Sequence, residues 1–240
     1  MIEMLNCDCM EYMATLPDKA FDLAIVDPPY GINADGRIGG DNCGVSTRYA
    51  EKEWDSTRPP AEYFTELKRV SKNQIIWGGN YFADLLEASS GWIFWDKHAS
   101  GNFSDGELAW TSFEQALKKF DFTWNGMRQG DMKNKEYRIH PTQKPVALYK
   151  WLLSRYAKQG DKILDTHGGS GSICIACHDL GFDLTWMELD VDYYKAACKR
   201  YKEHAAQTVL FEPQEIRQKT NDNELDLIYT QTNKGKNKIF

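Results

Sequence analysis

Short apolar runs alternate with amphipathic stretches along most of this chain. Residues 2–5 and 21–26 have the length and apolarity of buried strands, and 9–15 between them reads as a helix, so the chain opens strand–helix–strand. Asp8 stands where it can cap that helix. A helix is predicted over 61–70, with apolar positions at 63, 64, 67 and 70 on one face. A strand over 74–77 ends at Gly78 and Gly79. A helix over 81–87 and strands over 91–95 and 107–111 come after it. The pattern then resumes with a helix at 146–156, a strand at 162–165, an apolar helix at 173–180, a strand at 183–187 and a helix at 192–204. Strands spaced by helices in this way predict an α/β fold: a mostly parallel sheet with helices on both faces.

The ends of three strands carry the candidate chemistry. The run 21–26 stops at Asp27-Pro28-Pro29-Tyr30, because two prolines cannot continue a ladder. The carboxyl ends of strands are where open α/β sheets hold ligands. A carboxylate, freed carbonyls and an aromatic face at such a point suit an aromatic amine, with the amino hydrogens accepted and the ring stacked. A second strand ends at Asp165 and runs into Thr166-His167-Gly168-Gly169-Ser170-Gly171-Ser172, a glycine-rich turn that lets a ligand lie against backbone N–H groups at a helix start. The next strand ends at Glu188, and an acid about 20 residues beyond the first strand end is placed to hold ribose hydroxyls.

Composition narrows the reading. With 240 residues and 42% hydrophobic positions, the chain has the substance for one domain with a full core. A net charge of −6 argues against attachment to nucleic acid by bulk charge alone. Between 115 and 150, however, eight Lys and Arg stand against three acids, with Phe120, Phe122, Trp124 and Tyr137 interleaved. Beside a base-binding site this reads as a groove that tracks phosphates, with Lys133, Lys135 and Arg138 as candidate phosphate contacts. Residues 31–58 hold five glycines among polar residues, a long connection of the functional kind. The six cysteines do not form a disulfide framework, and Cys174 and Cys177, in an apolar helix, read as buried thiols rather than metal ligands. No apolar run reaches membrane-spanning length and the start has no leader pattern, so a cytoplasmic protein is expected. Beyond Phe211 the chain turns polar, and a loosely ordered tail is expected over 212–240.

Taken together, these blocks resemble the amino-group DNA methyltransferases, in the permuted class that places the catalytic motif before the cofactor motif. Asp27-Pro28-Pro29-Tyr30 resembles the catalytic motif, and His140-Pro141-Thr142-Gln143-Lys144-Pro145 the block before the cofactor loop. The 165–172 turn is similar to Asp-Pro-Phe-x-Gly-Ser-Gly-Thr, departing from it at Thr166 and His167. Met187-Glu188-Leu189-Asp190, with Asp192, Tyr193, Ala197 and Arg200, resembles the family's next strand and helix. The resemblance implies a single Rossmann-like methyltransferase domain over 1–211, with 31–58 and 111–139 as DNA-contacting insertions. It implies S-adenosylmethionine as cofactor. Asp165 and the turn Gly168, Gly169, Ser170, Gly171 would hold its amino-acid end, Glu188 its ribose, Asp8 its adenine amino group, and Thr142 and Lys144 its carboxylate. Asp27, Pro28, Pro29 and Tyr30 would be catalytic, with Tyr30 stacking on a flipped base. The implied partner is double-stranded DNA, with room for a homodimer, in a prokaryotic or phage setting. Asp at the first motif position points to N6 of adenine, with N4 of cytosine the alternative and an inactive DNA-binding homologue a third. No metal is implied.

Overall fold

Among the described residues ten strands are laid down: β1 (Ile2–Leu5), β2 (Phe21–Val26), β3 (Ser71–Trp77), β4 (Ile93–Asp96), β5 (Gly106–Thr111), β6 (Lys118–Asp121), β7 (Trp124–Asn125), β8 (Arg128–Gln129), β9 (Lys162–Asp165) and β10 (Asp183–Met187). Eight of them form one sheet in the order β1-β10-β9-β2-β3-β5-β4-β6, and β7 and β8 pair in a separate hairpin. Only β5 runs against its neighbours, β3 and β4; the other pairs of the large sheet are parallel. The computed structural model describes residues 1–34, 52–99, 104–125 and 128–207. Most of the 31–58 connection and the 212–240 tail therefore lie outside the described residues.

The strand pleat explains why helices cover both faces. In β2, Leu23 and Ile25 point into one cluster with Leu148, Leu152 and Ile173. These come from two helices, Val146–Tyr156 (α3) and Ser172–Leu180 (α4). Ala24 and Val26 point into the other, with Met13 of α1 (Cys9–Ala14) and Phe64 and Leu67 of α2 (Ala61–Val70). The 3.6-residue stripe of α2 is fully used: Tyr63, Phe64, Leu67 and Val70 are all buried. Asp8 caps α1, accepting from the Met10 and Glu11 amides, and Asp190 caps α5 (Val191–Ala205) in the same way.

The outcome differs from the sequence pattern in three places. No α-helix forms over 81–87. Gly78 is left-handed at φ 69°, a 3-10 turn spans Gly79–Tyr81, and isolated turns around Phe82 come next. A segment this short, without a side-chain cap, does not recover the cost of helix nucleation. β3 begins at Ser71, straight after α2, three residues earlier than the apolar run suggests. Finally, part of the basic 111–139 segment is sheet and core, because β6 pairs with β4 and Phe120, Phe122 and Trp124 are buried.

What positions the site is the centre of the sheet. From β9 the chain continues to β10 on one side, and from β2 to β3 on the other. The direction of winding therefore reverses between β9 and β2, and a crevice opens beyond their carboxyl ends. Asp165 ends β9 and Asp27 comes directly after β2, so two of the three strand ends singled out in the sequence meet at this crevice.

Candidate active site

That space is a cavity of about 550 Å³, within the range of small-molecule sites. Asp8, Asp27, Pro29, Thr142, Lys144, Gly168, Gly169, Ser170 and Glu188 line it. Pro28, Tyr30, Asp165 and Gly171 are not among the lining residues, but each adjoins one along the chain. Residues far apart in sequence also enter the lining, among them Tyr63 of α2, Trp54 and Tyr193.

At the end of β2 the Asp27 carboxylate is engaged on both oxygens. The Tyr30 hydroxyl donates to Oδ1 at 2.5 Å, and the Lys144 ammonium donates to Oδ2. Lys144 is 3% exposed and also reaches Glu107 of β5 at 3.1 Å, while Lys97 closes on the other Glu107 oxygen at 2.6 Å. Burial pushes the Asp27 carboxyl up from the ordinary aspartate value, and Lys144 pulls against that. Burial also opposes the charge on Glu107, but Lys144 and Lys97 override it and hold Glu107 at about 2. For Lys144 the two carboxylates outweigh burial, so it stays an ammonium. The backbone turn past Tyr30 is fixed by Asp55, which accepts from the Tyr30 and Gly31 amides at 2.6 and 2.9 Å and from Ala34 at 2.7 Å. Asp55 is not legible in the sequence as a site residue. Its partners come from a different stretch of chain, and only its place after Trp54 at the end of a polar connection marks it.

Lys144 thus does not stand with Thr142 as a free cation for a ligand carboxylate; it is committed to Asp27 and Glu107. Tyr30 also differs from expectation, because its ring already has neighbours. Tyr81 stacks on it at 4.8 Å, and a β-carbon on Gly78 would fall 2.1 Å from its Cε1.

The turn after β9 is built around Glu188. One of its oxygens accepts the Gly169 amide and the other the Asp190 amide, both at 2.8 Å. Gly169 and Gly171 are left-handed, at φ 51° and 68°, as this tight path from strand to helix requires. Arg200 of α5 donates to the Ser170 carbonyl and pairs with Glu136, whose other oxygen caps α3 at the Val146 amide. Glu136, a minor acid in a basic stretch of sequence, therefore ties the 130–140 segment to the glycine turn. At the position where the sequence departs from Pro-Phe, the Thr166 hydroxyl lies 2.6 Å from the Tyr63 hydroxyl and 2.9 Å from His167 Nδ1. Burial lowers His167 to about 4, so its imidazole is neutral.

Three carboxyls with raised pKa converge here. Burial is the leading cause at Asp27, Asp165 and Glu188, and the negative charges of Asp27 and Glu188 add to it at Asp165. Asp165 is pushed well above the ordinary value, and the His167 amide, donating to Oδ1 at 3.1 Å, offsets only part of that. Such a cluster fits a cationic ligand, which would relieve the desolvated acids.

A family model for N6/N4 DNA methylases matches residues 95–200 of the chain. The type II methyltransferase M.HinfI of Haemophilus influenzae is 27% identical over 83% of this chain and 68% of its own length. M.HpaI of Haemophilus parainfluenzae is 26% identical over 83% and 74%. Over residues 95–200 the chain matches the amino-group DNA methylases. A solved structure of an M1.HpyAVI–SAM complex has the same fold, with a TM-score of 0.53 and 23% identity, covering 83% of this chain and all of that one. These matches support methyl transfer to an amino nitrogen of DNA as the reaction class.

The DNA contacts expected from the sequence fall in two groups. Lys133 and Lys135 are exposed, on a turn after β8 in which Asp131 accepts the Lys133 and Asn134 amides. Arg138 is instead half-buried, its guanidinium 4.4 Å from the Trp124 ring centroid. It packs the segment against the core rather than facing outward, because a planar guanidinium covers an indole face well. Among the described residues the one grouping with metal-ligand spacing is Asp96, His98 and Asp121, at the sheet edge, where Lys119 already pairs with both acids. Cys174 and Cys177 are fully buried in the core. No helix among the described residues is long and apolar enough to cross a membrane.

Proposed function

We propose that this protein is a DNA methylase that transfers a methyl group from S-adenosylmethionine to the N6 amino group of adenine in double-stranded DNA. The observation that carries the reading is the meeting of Asp27 with the Asp165 turn and Glu188 in one cavity at the point where the sheet reverses its winding. The residues present fit the cofactor. Asp165 and Glu188 are acids whose burial calls for a positive ligand, and Gly169 leaves the approach to the turn open, since even an added β-carbon would stay 3.8 Å from His140. In this reading Asp165 and the 168–171 turn hold the amino-acid end and Glu188 the ribose hydroxyls. Asp8 holds the adenine amino group through the oxygen its helix cap leaves unused, and Thr142 the carboxylate.

When bound, the cofactor supplies an electrophilic methyl carbon on a sulfonium. The target amine is a poor nucleophile because its lone pair is delocalised into the base. Asp27 and the Pro28 carbonyl accept its two hydrogens, which favours a pyramidal nitrogen with its lone pair turned toward the methyl group. Positioning of this kind contributes roughly 7 kcal/mol or more in well-oriented cases. Asp27 is also an acceptor for the proton the amine releases. The target base leaves the duplex to reach this point. Tyr30 is the stacking partner in this reading, with Tyr81 moving off the ring to admit the base. Lys133 and Lys135, with the 31–58 connection, supply the DNA surface of a methyltransferase domain spanning 1–211.

The test is transfer of labelled methyl groups to duplex DNA, followed by digestion to nucleosides. N6-methyladenine supports the reading. N4-methylcytosine moves the target to cytosine, and absence of transfer from a folded, cofactor-binding protein rejects the enzyme reading.

A further inference from the structure

Lys144 and Glu107 are two charges that the methyl-transfer reading does not use. They lie on different parts of the fold: Lys144 in the stretch leading to α3, Glu107 in β5, the one antiparallel strand of the large sheet. Both converge on Asp27. Lys144 donates to Asp27 Oδ2 and stands 3.1 Å from Glu107; Glu107 is in turn held by Lys97. The Lys144 ammonium also lies beside two aromatic rings, 5.3 Å from the Trp77 centroid and 5.9 Å from that of Tyr30. Its position is therefore set by packing as well as by charge.

We propose that Lys144, anchored by Glu107, is the positioning residue that keeps the Asp27 carboxylate ionised and turned toward the target amine. The inference rests on the methyl-transfer reading, since it assigns Asp27 the amine. The charge balance around Asp27 shows why such a residue is needed. Two further acids approach it, Asp165 from the end of β9 and Glu107 from β5. Tyr30 on the same turn, Tyr63 of α2 and Tyr149 of α3 face the group as neutral phenols, since burial raises all three well above the usual tyrosine value. Lys144 is the cation in direct contact with Asp27, and Lys97 reaches the group only through Glu107. Without Lys144, burial and the neighbouring acids would all favour a protonated Asp27, which offers one acceptor oxygen fewer and cannot take a proton from the amine. Glu107 works in the opposite sense on Asp27 itself, but its carboxylate, 3.1 Å from the ammonium, helps hold Lys144 in place.

The experiment measures turnover and cofactor affinity across pH for the full chain and for Lys144→Met, Lys144→Arg and Glu107→Gln. Wild-type turnover on DNA is the control that tests the methyl-transfer reading separately. In Lys144→Met the acid limb of the rate profile should move up by about one pH unit or more, so that about tenfold of the rate lost at neutral pH returns on going alkaline. Lys144→Arg should restore the wild-type limb. Glu107→Gln should move the limb down, since it removes a negative charge while leaving a polar oxygen beside Lys144. Calorimetric affinity for the cofactor should stay within about twofold in all three, far less than the tenfold that 1.4 kcal/mol represents. An unmoved limb in an active wild-type background would overturn the inference. So would a large loss of cofactor affinity in Lys144→Met, which would return Lys144 to the cofactor carboxylate. Should Lys144→Met not fold, an upward or absent shift in Glu107→Gln overturns it alone.

Discussion

Gly168 lies so close to the indole of Trp186 that a β-carbon there would fall 1.8 Å from Cε2 and Nε1. The Gly168 amide meanwhile donates to the Met187 carbonyl at 2.8 Å, so the backbone cannot retreat from the ring without breaking that bond. Gly168→Ala should therefore cost about 1–3 kcal/mol of stability, the usual range for overpacking a full site. A thermal melt of the ligand-free protein measures it. The neighbouring glycine should behave differently. Around Gly169 there is room, but its φ of 51° strains any side chain. Gly169→Val should lose about 1–2 kcal/mol to backbone strain and, in addition, place a branched group over the turn. Cofactor affinity should fall sharply in a folded protein; undiminished binding would remove the turn from the cofactor site.

Asp27→Ala should separate binding from turnover. In the proposed reading Asp27 touches the target amine and not the methyl donor, so calorimetric cofactor affinity should stay within a few-fold while methyl transfer disappears. Equal loss of both would place Asp27 on the cofactor side.

Asp165 predicts a pH dependence of stability. Its carboxyl is 2% exposed and raised well above the ordinary value, first by burial. A carboxyl with a higher pKa folded than unfolded makes the folded state bind protons more tightly. Its contribution is fully favourable below the unfolded value of about 3.9. It is lost as pH rises toward the folded value, at about 1.4 kcal/mol for each pH unit between the two. Asp165→Asn should flatten that decline and raise the melting temperature of the ligand-free protein at neutral pH. The His167 amide keeps an acceptor in the Asn oxygen. Affinity for a cationic cofactor should fall in the same variant, and wild-type binding should tighten as pH rises. A variant less stable at neutral pH than the wild type would count against the raised carboxyl.

On the DNA side, Lys133→Ala with Lys135→Ala should weaken duplex binding. The slope of log affinity against log salt should drop by roughly 0.9 for each phosphate no longer neutralised. Cofactor affinity should be untouched. Arg138→Ala should act through stability instead, because it uncovers the Trp124 face. Gel-shift titrations at several salt concentrations, with melts alongside, distinguish the two. An unchanged slope in the double variant would move the DNA surface elsewhere.

Local sequence determined much of this protein. The period of apolar residues marked every strand of the parallel half of the sheet and the α-helices α1 to α5, since a buried strand or an amphipathic helix leaves its signature in consecutive residues. Asp27, Gly169 and Glu188, which line one cavity, stood out for the same reason: each sits at the end of such an element, where the chain must turn. Tertiary structure decided what depends on partners distant along the chain. Phe120, Phe122 and Trp124 look the same in a DNA groove as in a core, and only the pairing of β6 with β4 put them inside. Arg138 and Lys133 are both basic residues of one segment, yet one meets an indole and the other solvent. Lys144 is the clearest case. Its neighbours Asp27 and Glu107 lie 117 residues before it and on a separate strand, and a buried ion pair is specified by where the backbone brings two charges together, which no local pattern of residues encodes.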